Sequence, residues 1–303
     1  MAEPATPPAD TLTEWLTPDW GFFIRPRERR EAFHSGLQAV EVHDSASFGT
    51  LLRLDGHFMT SEKDEFFYHE NLVHMAAITH DAPRRALIVG GGDGGSARQL
   101  LMHPSIEHIT LVEIDPAVVD MALRHLQRVH RGSLDDARLT LKIGDGFAYV
   151  KASAEPLDLI VLDLTDPGGP STLLYTLEFY RACAARLGEG GIMTLHIASP
   201  LAHPRRIRQT LLQLRQAFNL VIPYLTSVPL YGGLWLMALC AQRADPRQLT
   251  AQAADARLQE RGISGLQYYN GAMHCAALAL PNFIRALLPY GLFNSGKKLA
   301  RPW

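Results

Sequence analysis

The chain lacks the features that would place it in several common classes. Three cysteines, Cys183, Cys240 and Cys275, lie far apart among 303 residues and form no CxxC pair. That argues against a disulfide framework or a thiolate zinc site, fits a reducing cytoplasm, and leaves each cysteine expected as a small core residue. No uninterrupted apolar run approaches the ~18 residues of a membrane span. The first ten residues hold prolines and acids without an apolar h-region, so neither membrane insertion nor export is expected. An excess of one charge is missing too: 29 Lys and Arg against 31 Asp and Glu give a formal charge of −2, and no nucleic-acid partner is expected. The short basic clusters at 25–30 and 205–208 carry no interleaved aromatics and read as solvated surface. There is no internal repeat and no low-complexity linker.

What the chain does have is a change of period. Around Leu37 (LQAVEVHDS) and from Phe48 (FGTLLRLDGHFMTS) apolar residues alternate, with Asp55 and Gly56 as a hairpin turn signal, so a small N-terminal β-domain is expected. Phe67, Leu72, Met75 and Ile78 then give a helical stripe over about 64–79, which Pro83 ends. From Arg85 onward short apolar runs (ALIVG, ITLVEID, LTLKIGD, LDLIVLDL, GIMTLHI) alternate with helical or loop sequence. This predicts an α/β fold with a parallel sheet covered on both faces. Val221 to Ser227 and Leu234 to Ala241, joined at Gly232 and Gly233, suggest an antiparallel pair at one end of that sheet. The division expected is residues 1–80, strands with the following helix, and residues 81–303.

Ala86 to Asp115 carries the most specific signal. A strand, a glycine turn from Gly90 to Gly95 and a helix opening have Rossmann-like geometry, in which glycines such as Gly90 and Gly92 let backbone approach a ligand. An acid about 20 residues on commonly takes ribose hydroxyls; Glu113 fits this better than Asp115. Asp93 breaks the dinucleotide pattern, because a carboxylate beside a helix N-terminus would repel a pyrophosphate. Asp93, Glu113, Asp145, Asp163 and Asp166 all stand at or just after strand ends, where open α/β sheets bind ligands. Five acids around one crevice would repel one another, so the ligand should carry several positive charges. No compact His and acid spacing points to a metal site.

Several segments together resemble a known family: DEFFYHENLVH at Asp64, LIVGGGDGG at Leu87, VEID at Val112, GDGF at Gly144, LDLTDPGGP at Leu162, VPLYGG at Val228 and YYNGAMHCAALALP at Tyr268. Over about residues 38–287 the chain resembles the polyamine aminopropyltransferases, nearest to their spermidine synthase branch. The resemblance implies a Rossmann-like methyltransferase-type sheet behind a small N-terminal β-strand domain. It also implies transfer of the aminopropyl group of decarboxylated S-adenosylmethionine, a co-substrate rather than a tightly bound cofactor, to a diamine such as putrescine, and a cytoplasmic homodimer built partly through the N-terminal strands.

Residue roles follow from the same resemblance. Asp93 should attract the donor's aminopropyl end, Glu113 the ribose, Asp145 with Gly146 the adenine, and Gln38 another part of the nucleoside. Asp163 is the expected base for the attacking amine, with Tyr68 beside the reacting nitrogen, Asp166 gripping the acceptor, and Tyr231 at the acceptor site. The loop after Asp163 could close as a lid. His69 should orient the site without titrating. His196 stands where glutamine is common in the family: protonated it would weaken attraction for a dication, neutral it would be a hydrogen-bond partner, and it could equally be buried and satisfied by backbone. His274 is expected to be structural. Other acceptors (spermidine, cadaverine, agmatine), methyl transfer, or polyamine binding without catalysis are the alternatives.

Overall fold

The computed structural model describes residues 10–152 and 155–289; the tail at 296–303, for which the sequence suggests no role, lies outside the described residues. Two small antiparallel sheets come first, β1 (Leu12–Thr17) with β2 (Trp20–Ile24), then β3 (Glu28–His34), β4 (Ala39–Ser45), β5 (Gly49–Leu54) and β6 (His57–Ser61) in that order. Asp55 and Gly56 join β5 to β6 with φ of 50° and 83°, the positive values that a tight hairpin needs. Strands β1, β2 and β3 were not foreseen. They expose both faces in part, so hydrophobic alternation is blurred there.

Helix α1 (Glu65–Thr79) leads into the large unit, whose parallel strands are β7 (Arg85–Gly90), β8 (His108–Glu113), β9 (Leu139–Ile143), β10 (Leu157–Asp163) and β11 (Leu187–Ala198). The connecting helices are α2 (Gly95–Leu101), α3 (Pro116–His125), α4 (Gln127–His130), α5 (Gly146–Ala152) and α6 (Leu177–Arg186). After α7 (Pro204–Leu214), β12 (Leu220–Val228) and β13 (Gly233–Ala241) complete a seven-stranded sheet of order β12-β13-β11-β10-β7-β8-β9. The expected end pair is present, and β13 runs antiparallel to both β12 and β11. The chain closes with α8 (Ala251–Glu260), α9 (Gly271–Leu278) and α10 (Asn282–Leu287).

The sheet reverses its winding between β7 and β10, and that places a crevice beyond their carboxyl ends. Asp163 pairs in register with Gly90 there, so the last residue of β10 and the start of the glycine turn share one rim. A continuous core joins β4 and β5 (Val42, Leu52) to α1 (Leu72) and one face of the large sheet (Ile88, Leu111, Val161). The other face packs Leu87, Ile160, Leu162, Phe179 and Ile207. Helix α1 lies against α2, β10, β11 and β12, which makes it a cover of the large sheet as much as the end of the N-terminal unit.

Cys183 and Cys240 are buried as expected, but Cys275 is exposed, a correction: it falls on the outer side of α9, whose inner side carries His274. His274 is structural, with Nδ1 facing the Tyr269 hydroxyl at 2.6 Å and Nε2 donating to the Pro246 carbonyl at 2.9 Å. Buried Glu70 of α1 accepts the backbone N–H of Gln267, Tyr268 and Tyr269, so the YYNGAMH segment is docked by one carboxylate.

A second buried histidine pair has one consistent direction. Arg261 donates to His103 Nδ1 (3.2 Å), His103 Nε2 to His74 Nδ1 (3.0 Å), and His74 Nε2 to Gln99 Oε1 (3.0 Å). Each ring must be neutral to serve as both donor and acceptor. Burial, with the charges of Arg98 and Arg261, lowers His74 to about 4, and burial with His74 and Arg261 puts His103 well below its ordinary range. A folded-state pKa below the unfolded value of about 6.5 means the rings take up protons on unfolding; stability is full above that value and declines as pH falls toward 4. A drop of about 2.5 units on one ring corresponds to roughly 3 kcal/mol at the low end. Thermal melts from neutral pH downward should show this fall, and His103→Gln should flatten it. A wild-type melting temperature unchanged down to pH about 5 would contradict the pair's neutrality.

Candidate active site

The crevice between β7 and β10 is a cavity whose walls come from every strand end that the acids mark. Gln38, Tyr68, His69, Gly90, Gly92, Asp93, Glu113, Asp145, Gly146, Asp163 and Tyr231 all line it. Asp166 and His196 stand back from it. Leu164, Thr165, Ser171 and Leu174 add a wall from the 164–175 loop, most of which is a short 3₁₀ segment.

The nucleoside half is built on the glycine turn. Glu113, at the end of β8, accepts the N–H of Gly92 at 3.2 Å and of Asp115 at 3.0 Å. Burial nevertheless raises its carboxyl to about 7. Asp115 is the N-cap of α3 through Ala117 N–H, and its other oxygen accepts from Gln38 Nε2 (2.9 Å) and Ser35 Oγ (2.6 Å). Gln38 thus enters the cavity from the turn between β3 and β4 on a fixed side chain. Asp145 caps the start of α5 through Phe147 N–H at 2.8 Å.

The other half is a knot of buried charge. His69 and Glu65 are one turn apart on α1, and His69 Nδ1 meets Glu65 Oε2 at 2.8 Å. Arg98 of α2 holds the other Glu65 oxygen at 2.6 Å. The far side of the ring, Nε2, faces Asp93 at 3.5 Å and Asp163 at 3.9 Å. Gly95 passes so close that any Cβ there would run into the imidazole. Burial alone would discharge His69, but Asp93, Glu65 and Asp163 outweigh it and carry its pKa well above the ordinary value. In the ligand-free site the ring is an imidazolium. Burial would also raise Asp93, but His69 and the Gly95 N–H reverse this and hold it below the usual carboxylate range. Asp163 is raised, by burial and then by Asp93, although Ser96 Oγ donates to it at 2.7 Å. Among the described residues, His69, Asp93 and Asp163 are the group whose donor atoms, within 4.8 Å of one another, could close on a metal ion. A protonated Nε2 offers no lone pair, and it supplies the positive charge itself.

Tyr68 and Tyr231 stack edge to face at 5.7 Å beside this knot, and burial with the Asp163 charge keeps the Tyr68 phenol far from ionising. Behind Tyr68 lies His196, ring centroids 5.9 Å apart. Its Nε2 donates to the Leu164 carbonyl at 2.8 Å and meets the Tyr175 hydroxyl at 3.0 Å, while Nδ1 accepts from Trp235 Nε1 at 3.1 Å. His196 is therefore neutral, with burial lowering its pKa, and both nitrogens are occupied. Asp166 is held by Arg206 of α7 at 2.6 Å, leaving its Oδ1 buried, 3.9 Å from His196 Nδ1 and without a hydrogen-bond donor. Arg206 corrects the expectation that the 205–208 cluster is solvated throughout; Arg205 and Arg208 are exposed, Arg206 is half-buried.

A match to the spermine/spermidine synthase domain covers residues 65–250, and the chain is 48% identical over 285 residues to a polyamine aminopropyltransferase of Nitrosomonas europaea, spanning 94% of this chain and 88% of that one. The chain belongs to the spermine/spermidine synthase family. A polyamine aminopropyltransferase of Moorella thermoacetica is 38% identical over 278 residues, covering 91% of this chain and 95% of the relative. Among solved structures, a spermidine synthase in complex with the transition-state analogue AdoDATO aligns with a TM-score of 0.86 at 31% identity, over 95% of this chain and 98% of that one. The spermidine synthase of Thermotoga maritima aligns with a TM-score of 0.85, also at 31% identity, over 95% and 97%. The aminopropyltransferase family and the Rossmann-like sheet with its small β-domain are thereby shown.

Sequence reasoning missed Glu65, Arg98, Arg206 and Trp235. The first was legible in principle as an acid four residues before His69 on one helix; the others reach the site only through the tertiary fold. Burial keeps His196 neutral, and Trp235 occupies the Nδ1 lone pair that a second proton would need. In Trp235→Phe that nitrogen is free to take a proton beside Asp166, so His196 should titrate at higher pH than in wild type, followed by ring-nitrogen NMR. An unchanged His196 titration would remove the indole from this account.

Proposed function

We propose that the chain is a spermidine synthase-type aminopropyltransferase that moves the aminopropyl group of decarboxylated S-adenosylmethionine to putrescine. The observation that carries this is the convergence of Asp93 and Asp163 with the glycine turn and Glu113 on one cavity. Glu113 takes the ribose hydroxyls, Gln38 another nucleoside edge, and Asp145 with Gly146 the adenine. Asp93 takes the donor's terminal ammonium. The same carboxylate would face the additional carboxylate of intact S-adenosylmethionine, a like-charge contact that disfavours the methyl donor. A free alkylammonium has a pKa of about 10, so the acceptor must lose a proton before it attacks. Asp163 accepts that proton as the new C–N bond forms and the C–S bond breaks, with methylthioadenosine leaving as a neutral thioether. Tyr68 and Tyr231 flank the acceptor. Positioned proton transfer contributes ~10²- to 10⁴-fold, and in-line alignment ~7 to 11 kcal/mol.

Asp166 stands back from the cavity lining and is paired with Arg206, so it acts on the acceptor's far end from behind that wall: its Oδ1 is a buried acceptor with no donor, and its charge favours an ammonium there. Neutral His196 adds no repulsion there. A homodimer is favoured by the apolar side chains that the β1 and β2 hairpin exposes, Trp15, Trp20 and Phe23. Among the described residues no helix is long and apolar enough to cross a membrane.

Steady-state assays of both sulfonium donors against putrescine, cadaverine, agmatine and spermidine test the assignment. Aminopropyl transfer to putrescine should dominate, and methyl transfer at a comparable rate would overturn it. Asp163→Asn should lower kcat by ~10²- to 10⁴-fold while methylthioadenosine still binds. Full activity in that variant would show that another group takes the proton. Because Glu113 must be ionised to accept two hydroxyls and has a pKa of about 7 in the empty site, nucleoside affinity should rise with pH up to about that value and level off above it. Calorimetric affinities across that range should show the slope in wild type and not in Glu113→Gln.

A further inference from the structure

The empty site already contains a cation where the proposed donor would bring one. His69 Nε2 points into the cavity between Asp93 and Asp163, the carboxylates that face the donor's ammonium and the acceptor's nitrogen in the reading above. Its other face is fixed by Glu65, itself neutralised by Arg98, and Gly95 leaves the ring no room to retreat toward α2. Two cations cannot share this pair of acids without cost. A sulfonium and an ammonium entering a water-poor cavity within a few ångströms of an imidazolium would raise the energy of its proton steeply.

We propose that binding of the cationic donor expels the proton from His69, converting the ring from the counter-ion of the empty site into a neutral base that shares the acceptor's proton with Asp163. The inference rests on the proposed aminopropyl transfer, and the proton count agrees with it. A donor with two positive charges and a diamine with two give an uncharged thioether, a triamine with three, and one free proton. The expelled proton is that product proton, so it leaves at donor binding and not in the chemical step. The proton taken from the attacking nitrogen then stays on the Asp163–His69 pair. When the products depart, it restores the imidazolium between Asp93, Asp163 and Glu65. His69 therefore alternates charge once per turnover, which goes beyond orienting the site.

The groups around the ring define what the test must separate. Glu65, Asp93 and Asp163 favour the proton; Arg98 acts through Glu65, and Tyr68 is uncharged. Calorimetric titration of the wild-type protein with decarboxylated S-adenosylmethionine near neutral pH, in two buffers of different ionisation enthalpy, should show release of close to one proton per site beyond the release that Glu113 contributes to any bound nucleoside. Methylthioadenosine, which lacks both charges, should show no release attributable to His69. His69→Gln should bind the donor with no more release than methylthioadenosine gives through Glu113, and should lose turnover. A pH indicator in a rapid-mixing experiment should register the proton on donor addition, before the diamine is present. Donor binding with no more release than methylthioadenosine, or equal release in His69→Gln, would overturn the proposal while leaving aminopropyl transfer standing. Failure of the donor to bind at all would overturn both.

Discussion

The site depends on one imidazole ring held between three carboxylates in a place water scarcely reaches. Isolated, any one of Glu65, Asp93 or Asp163 would be costly to bury as an anion. With His69 charged and Arg98 behind Glu65, each acid has an opposite charge nearby; Glu65 and Asp93 are held toward the ionised form, Asp93 on the cavity wall and Glu65 behind the ring. Breaking such a buried set by deleting a single partner typically costs ~3–5 kcal/mol, a large share of a domain's net stability. The arrangement thus stores negative charge for a cationic ligand while keeping the ligand-free fold tolerable. It also explains why backbone without side chains is needed at Gly95: the ring is pressed against the turn that carries Asp93.

Much of the architecture was written in periodicity. The five parallel strands, the α1 stripe and the Asp55–Gly56 hairpin announce themselves because each buries a repeating face or needs a special backbone turn. Strands β1 to β3 did not, since their side chains are half-exposed and charged residues interrupt the alternation. The acids were legible as strand-end residues, yet their partners were not. Nothing local in the sequence says that Arg206 turns inward to Asp166, forty residues away, or that Trp235 closes on His196. Side-chain pairing across a sheet edge is a property of the packed fold. Composition alone makes the 205–208 cluster look uniformly solvated and Cys275 look buried, and both impressions fail where the fold turns a side chain in or out.

His196 shows how a position can be electrostatically quiet and still consequential. The ring has carbonyl and hydroxyl partners on one nitrogen and an indole on the other, so it supports Tyr68 from behind without adding charge. The three possibilities the sequence left open reduce to a neutral, buried ring that is satisfied partly by backbone.

The carboxylate of Asp115 serves two parts of the molecule. It finishes one end of α3 and, through Ser35 and Gln38, clasps the small sheet. A helix terminus and a contact between sequence-distant parts therefore share the same two oxygens. Loosening the first turn of α3 therefore also frees the turn between β3 and β4 that carries Gln38, so this wall of the nucleoside cavity and one contact of the small sheet are coupled through a single side chain.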